Sequence, residues 1–100
     1  MKVAILGFAF KGKPPTGDMR GSLVYSVIDE LRKCYPRVEI FGHDYLVNHE
    51  EMRRLGVIVS YDINLTLKDS HIVILQNNHP MYKLENWEEL RGCTEITLAA

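Results

Sequence analysis

The most constraining feature of this sequence is a regular alternation of short apolar runs with longer amphipathic segments. The apolar runs cover 2–6, 38–41, 57–60, 71–75 and 95–98. Uninterrupted apolar runs are typical of strands that are buried on both faces of a parallel sheet. Together with the helical segments between them, they predict an α/β fold, a Rossmann-like three-layer α/β/α arrangement with a mainly parallel twisted sheet of about five strands.

The segments between the apolar runs carry the start and stop signals of helices. Ser22 is predicted to cap a first helix that Pro36 ends, and Asn48 to cap a second one that Gly56 closes. Shorter helices are predicted over 61–68 and 87–90. Apolar residues recur at helical spacing along the first and third helices: Leu23, Val24, Val27, Ile28, Leu31 and Cys34, and then Ile63, Leu65 and Leu67.

Composition narrows the classes of partner. The chain has 100 residues, enough for one domain, with 12 Lys and Arg against 13 Asp and Glu. Such a balance provides no global field for nucleic acid or an anionic membrane, and no apolar run approaches the ~20 residues of a membrane span. Cys34 and Cys93 lack metal-site or redox spacing, so we expect reduced thiols in a cytoplasmic protein.

The loop over 7–18 is the strongest candidate for a ligand site, because loops that follow the strands of an open parallel sheet carry its ligands. It combines aromatic rings and cations that suit a base and a diphosphate, although a solvated loop with its aromatic residues turned inward would have the same composition. The GxxxxGK pattern of a P-loop is present, but Pro14 replaces its Ser or Thr, and the GxGxxG fingerprint fails as well.

The start of the chain resembles the C-terminal domain of the UDP-glucose/GDP-mannose dehydrogenase family. The family pattern is roughly G-[LF]-[AS]-F-K, a short loop, and then T-x-D-x-R-x-S. In this sequence the pattern is matched by Gly7-Phe8-Ala9-Phe10-Lys11 and by Thr16, Asp18, Arg20 and Ser22. Ile40-Phe41-Gly42-His43-Asp44 and the segment from Ile72 to Pro80 are similar to later parts of the family sequence.

The resemblance implies a nucleotide-sugar-binding domain of an NAD-dependent nucleotide-sugar 6-dehydrogenase, with no catalytic residue of its own. Phe10 and Lys11 would contact the UDP- or GDP-sugar, and Arg20 would reach the NAD. The loop would be shaped by Gly7, Thr16 and Asp18. The chain 1–100 would then be a fragment, inactive alone, of an enzyme whose other domains hold most of the NAD and form homo-oligomers.

Other interpretations remain open at this stage. One alternative is a stand-alone Rossmann-like module for nucleotide sensing or protein interaction. The four histidines lack the spacing of a zinc site, so no metal is expected. Asp44 follows the second strand, where a dinucleotide-binding domain carries its ribose-binding acid, but the resemblance favours a structural cap.

Overall fold

A computed structural model of the chain describes residues 1–9, 19 and 21–76 and the backbone of 95–98. Five strands form one sheet in the order β3-β2-β1-β4-β5, and every neighbouring pair is parallel. These strands are β1 Lys2–Leu6, β2 Glu39–His43, β3 Ile58–Val59, β4 Ile72–Leu75 and β5 Glu95–Leu98. The predicted Rossmann-like parallel sheet of about five strands is therefore confirmed.

Three helices connect the first four strands: α1 Val24–Cys34, α2 His49–Arg53 and α3 Ile63–Leu67. The residue at the N-cap of α1 is Leu23, which makes no side-chain cap bond, so the predicted cap at Ser22 is wrong by one position. The Ser22 hydroxyl instead accepts a hydrogen bond from Val24 N at 3.2 Å in the turn before the helix. The Asn48 side chain caps α2 by accepting from Glu50 N and Glu51 N. The predicted helix over 87–90 lies outside the described residues.

The sheet has a hydrophobic cluster on each face. Alternate residues of β1 point to opposite faces, so Val3 and Ile5 join one cluster and Ala4 and Leu6 the other. The first cluster also contains buried residues of α1 and α2, and the second contains Leu67 of α3. The helices thus cover both faces, which gives the expected three layers and explains why the strands read as continuous apolar runs.

Several predicted details are wrong. β2 runs two residues beyond its predicted end, because His43 continues the parallel register opposite Leu6. Leu23 and Leu65, which belong to the apolar residues at helical spacing, are both 57% exposed, and Cys34 is an exposed free thiol. Helical periodicity alone does not fix which residues at the end of a stripe reach the sheet.

Candidate ligand site at the carboxyl edge of the sheet

The strand order reverses between β1 and β4. These two strands are neighbours in the sheet, but the strands that follow them in the sequence lie on opposite sides of the pair. β1 has β2 on its other side, whereas β4 has β5. In open α/β sheets, a crevice forms at such a reversal, outside the carboxyl ends of the strands. The two segments that border it begin at Gly7, after β1, and at Gln76, after β4.

Gly7 makes the turn out of β1. Its φ of 89° lies in the left-handed region, which a residue without a Cβ adopts at little cost. Its amide donates to the His43 carbonyl at 2.9 Å, so the turn remains attached to β2. The residue predicted to shape the loop therefore stands at a backbone position that favours glycine.

Asp44 joins this turn to the turn that follows β2. Its carboxylate is 5% exposed, and Oδ2 accepts from Phe8 N at 2.7 Å and from Ala9 N at 3.2 Å. The other oxygen, Oδ1, accepts from Leu46 N at 2.7 Å and from Val47 N at 2.9 Å. Four amide donors compensate a buried carboxylate for its lost hydration, so Asp44 acts as a structural cap.

Gln76 supports the same segment from the β4 side. Its backbone amide donates to Leu6 O at 2.9 Å, and its side chain is 3% exposed. With Nε2 directed at the neighbouring carbonyls, the amide donates to Gly7 O at 2.8 Å and to Ala9 O at 3.3 Å. That orientation is the one that gives both carbonyl oxygens a donor. The Ser22 hydroxyl adds a longer bond of 3.4 Å to Ala9 O.

Phe8 fills the space beneath this network. Its side chain is fully buried in the cluster that α1 and α2 cover. The ring lies so close to Gly42 that a Cβ at that position would be 2.6 Å from Phe8 Cζ. Of the aromatic residues that the sequence allowed to turn inward from the loop, the structure places Phe8 in the core.

Most of the predicted site residues lie outside the described residues. These are Phe10, Lys11, Thr16, Asp18 and Arg20. The residues that bracket them in the sequence are both part of the core: Ala9 is 1% exposed and Met19 is 7% exposed. The predicted ligand loop therefore begins and ends at two buried positions, near the end of β1 and near the start of α1.

Two histidines lie further along the same edge, His43 as the last residue of β2 and His49 as the first residue of α2. His43 is 2% exposed and packs edge-on against Tyr45, with ring centroids 4.7 Å apart. Burial lowers the pKa of His43 below its usual 6.5, and the nearby Asp44 carboxylate opposes the shift. His49 packs against the Tyr61 ring, with ring centroids 4.1 Å apart.

Within the described part of the chain, no three potential ligands are grouped to hold a metal ion.

The sequence missed Gln76. The signal for it was a polar residue placed directly after a buried apolar strand, at the edge where the strand order reverses. Recognising it required knowing that β4 pairs with β1, which no local pattern reveals. For Asp44 the sequence allowed a ribose-binding acid or a cap, and its four amide contacts decide for the cap.

Comparison with known sequences shows which proteins this chain is similar to. The profile of the UDP-glucose/GDP-mannose dehydrogenase family, UDP binding domain, matches residues 4–97. A UDP-N-acetyl-D-glucosamine 6-dehydrogenase of Salmonella typhi is 36% identical over 91 residues, which cover 90% of this chain. The chain spans about a fifth of the length of that relative, since the matched part is 20% of it. Among the described helices, none combines the length and apolar character needed to cross a bilayer.

Proposed function

This chain belongs to the UDP-glucose/GDP-mannose dehydrogenase family, whose UDP binding domain it forms, and we propose that it binds a UDP-sugar at the crevice between β1 and β4. The observation that carries the proposal is the fixed start of the loop after β1. Gly7, Phe8 and Ala9 are hydrogen-bonded to β2 and Gln76 at the edge where α/β sheets bind ligands.

In this proposal the ligand is held by side chains of the segment that follows Ala9. Lys11 neutralises the diphosphate, and the Phe10 ring packs against the nucleotide-sugar. Thr16 and Asp18 shape the loop, and Arg20 reaches toward the cofactor with a planar guanidinium that suits phosphate or carboxylate. Because the positive and negative charges of the whole chain nearly balance, an anion would have to be attracted by local cations of this kind.

The complete enzyme, in this proposal, oxidises the C6 hydroxyl of the sugar to a carboxylate in two NAD-dependent steps. The product is a uronic acid of the kind used in polysaccharide biosynthesis, formed in the cytoplasm by a homo-oligomeric protein. The substrate's other contacts, most of the NAD contacts and the catalytic residues belong to the remaining domains. Alone, the 100-residue chain is expected to bind ligand without oxidising it.

The described residues do not fit a complete NAD site. A dinucleotide-binding domain uses an acid after its second strand to bind a ribose hydroxyl. Here the corresponding Asp44 already accepts four backbone hydrogen bonds and is 5% exposed. The chain also lacks the GxGxxG fingerprint after β1. We therefore assign the main NAD site to another domain.

Titration of the ¹⁵N-labelled chain with UDP, UDP-N-acetylglucosamine and NAD tests this assignment by NMR. We expect saturable shifts at Phe10 and Lys11 with both uridine nucleotides. Saturable binding of NAD without a sugar nucleotide, and no response to UDP, would instead support a separate nucleotide-sensing module.

A matched pair of lysines within the loop provides the control. Lys11→Met removes the proposed partner of the diphosphate, and Lys13→Met removes the same charge two residues away. Loss of a charge-assisted hydrogen bond of about 1.5–3 kcal/mol predicts roughly tenfold weaker UDP binding, or more, for Lys11→Met. Equal effects of the two substitutions would contradict a specific role of Lys11, because they would indicate nonspecific attraction of UDP by positive charge.

A further inference from the structure

We propose that Asp44 is a positioning residue for nucleotide binding, although it does not itself contact the nucleotide. Its carboxylate fixes the backbone of residues 7–9, and this backbone sets where the ligand-binding loop starts. The inference rests on the proposed function, because it concerns affinity for the same UDP-sugar. It adds a residue, distant in sequence from the loop, on which that affinity depends.

Asp44 differs from the ordinary caps of this fold. Asn48 and Asp62 accept hydrogen bonds from amides two or three residues further along the chain, within their own helices. Oδ1 of Asp44 does the same with Leu46 and Val47, but Oδ2 accepts from Phe8 N, 36 positions away. Local turn formation accounts only for the hydrogen bonds that Oδ1 accepts. The second one connects the end of β2 to the loop after β1.

Residues 7–9 are held from two sides, by the turn at the end of β2 and by Gln76 after β4. The amides of Gly7, Phe8 and Ala9 all donate to the end of β2, through the His43 carbonyl or the Asp44 carboxylate. The carbonyls of Gly7 and Ala9 accept from Gln76. Because these groups are buried, breaking the bonds between them costs free energy, and the network opposes movement of the segment.

This arrangement also occupies backbone amides of the kind that other nucleotide-binding folds use for phosphate. In dinucleotide-binding folds and P-loops, backbone amides after the first strand point at the phosphates. Here the amides of Phe8 and Ala9 are already bound to the Asp44 carboxylate, an internal anion in the place of an external one. These two amides are therefore not available to the phosphates, which the proposed function assigns to side chains beyond Ala9. Their position relative to the crevice depends on how firmly residues 7–9 are fixed.

The test compares Asp44→Asn with Asn48→Ala in the complete 100-residue chain. Both substitutions remove acceptors from turns at the same edge of the sheet, but Asn48 bonds only to amides of α2. UDP affinity is measured by calorimetry at a temperature where far-UV circular dichroism shows both variants folded. We expect about tenfold weaker binding for Asp44→Asn, and a change of less than about twofold for Asn48→Ala.

A readout independent of ligand distinguishes positioning from general loss of stability. Hydrogen exchange at the Phe8 and Ala9 amides is expected to speed up in Asp44→Asn more than exchange across β1. Gln76→Met keeps the side-chain volume and removes the donor to Gly7 O, so it provides a second variant if Asp44→Asn does not fold. We expect this variant to bind UDP several-fold more weakly as well.

Each outcome has one interpretation. If the unchanged chain does not bind UDP, the proposed function and this inference both fail. If it binds UDP but the Asp44 and Gln76 variants bind equally well or more tightly, the function stands and the positioning role is overturned. Equal weakening by Asn48→Ala also overturns it, because the effect would then follow stability alone.

Discussion

The ring of Phe8, which follows β1, lies against the α-carbon of Gly42 in β2. It occupies the space that a side chain at position 42 would fill. A Cβ at position 42 would lie 2.6 Å from Phe8 Cζ and 3.2 Å from a methyl group of Val57. Because Phe8 is fully buried, its ring has no room to retreat. Gly42 therefore allows the segment that follows β1 to pack against β2.

We expect Gly42→Ala to reduce the free energy of unfolding by about 1–3 kcal/mol, the usual range for an overpacked core. Urea denaturation of the variant measures the loss. In a Phe8→Leu background the added methyl group has more space, so the same substitution should be less damaging there. Additive effects of the two substitutions would show that the contact between Phe8 and Gly42 is not the cause.

Gly56→Ala is expected to destabilise the turn after α2 for two separable reasons. Its φ of 80° is unfavourable for alanine by about 1 kcal/mol, and the added Cβ would lie 2.7 Å from Arg32 Nη2, which donates to Leu55 O. Gly21→Ala is the matched control, since its φ is 75° and none of the described residues has an atom within 4 Å of the new Cβ.

Thermal or urea unfolding of both glycine variants should therefore show a larger loss for Gly56→Ala than for Gly21→Ala. Introducing Arg32→Ala should remove most of that difference, because the steric conflict disappears while the backbone strain stays. A difference that persists without the Arg32 side chain would contradict this explanation.

The stability of the chain should depend on pH through His43. Burial lowers the pKa of His43 in the folded state below the 6.5 of the unfolded chain, so the unfolded chain binds more protons between the two values. The stabilisation by the neutral ring is complete above about pH 6.5 and is lost as the pH falls through the folded pKa.

A comparison of the wild-type chain with His43→Gln, by urea unfolding at about pH 7.5 and about pH 5, isolates this effect. We expect the wild-type chain to lose more stability on acidification than the variant, since the two chains differ only at residue 43. An identical pH dependence would exclude His43 as the titrating group.

Lys2→Met should weaken the attachment of α3 to the amino edge of the sheet. The Lys2 ammonium donates to Leu65 O at 3.1 Å and to Lys68 O at 2.6 Å, and it lies 3.9 Å from the centroid of the Phe41 ring. These contacts are partly solvated, so we expect a loss of about 1 kcal/mol in urea unfolding.

Lys33→Met provides the comparison for Lys2→Met, because Lys33 takes part only in an exposed ion pair of 3.6 Å with Glu30. Its replacement is expected to change stability by less than about 0.5 kcal/mol. If the two variants are equally stable, the bonds of Lys2 to the end of α3 contribute nothing measurable.

The sequence alone predicted the strands, the parallel sheet and the cap at Asn48, because these features depend on local periodicity and on hydrogen bonds between near neighbours. It also predicted, through the family resemblance, that the loop after β1 is the site of function. Boundaries were less accurate: β2 continues through Gly42 and His43, which pair with β1 although their sequence is typical of a turn.

The tertiary structure alone decided how that loop is anchored. Asp44, Gln76 and Phe8 are far apart in the sequence, and no local pattern indicates that a carboxylate and an amide meet the same backbone segment. Their meeting follows from the strand order, which places β2 and β4 on either side of β1. Residue type determines which bonds a side chain can form, and only the pairing of distant strands determines which groups come within reach.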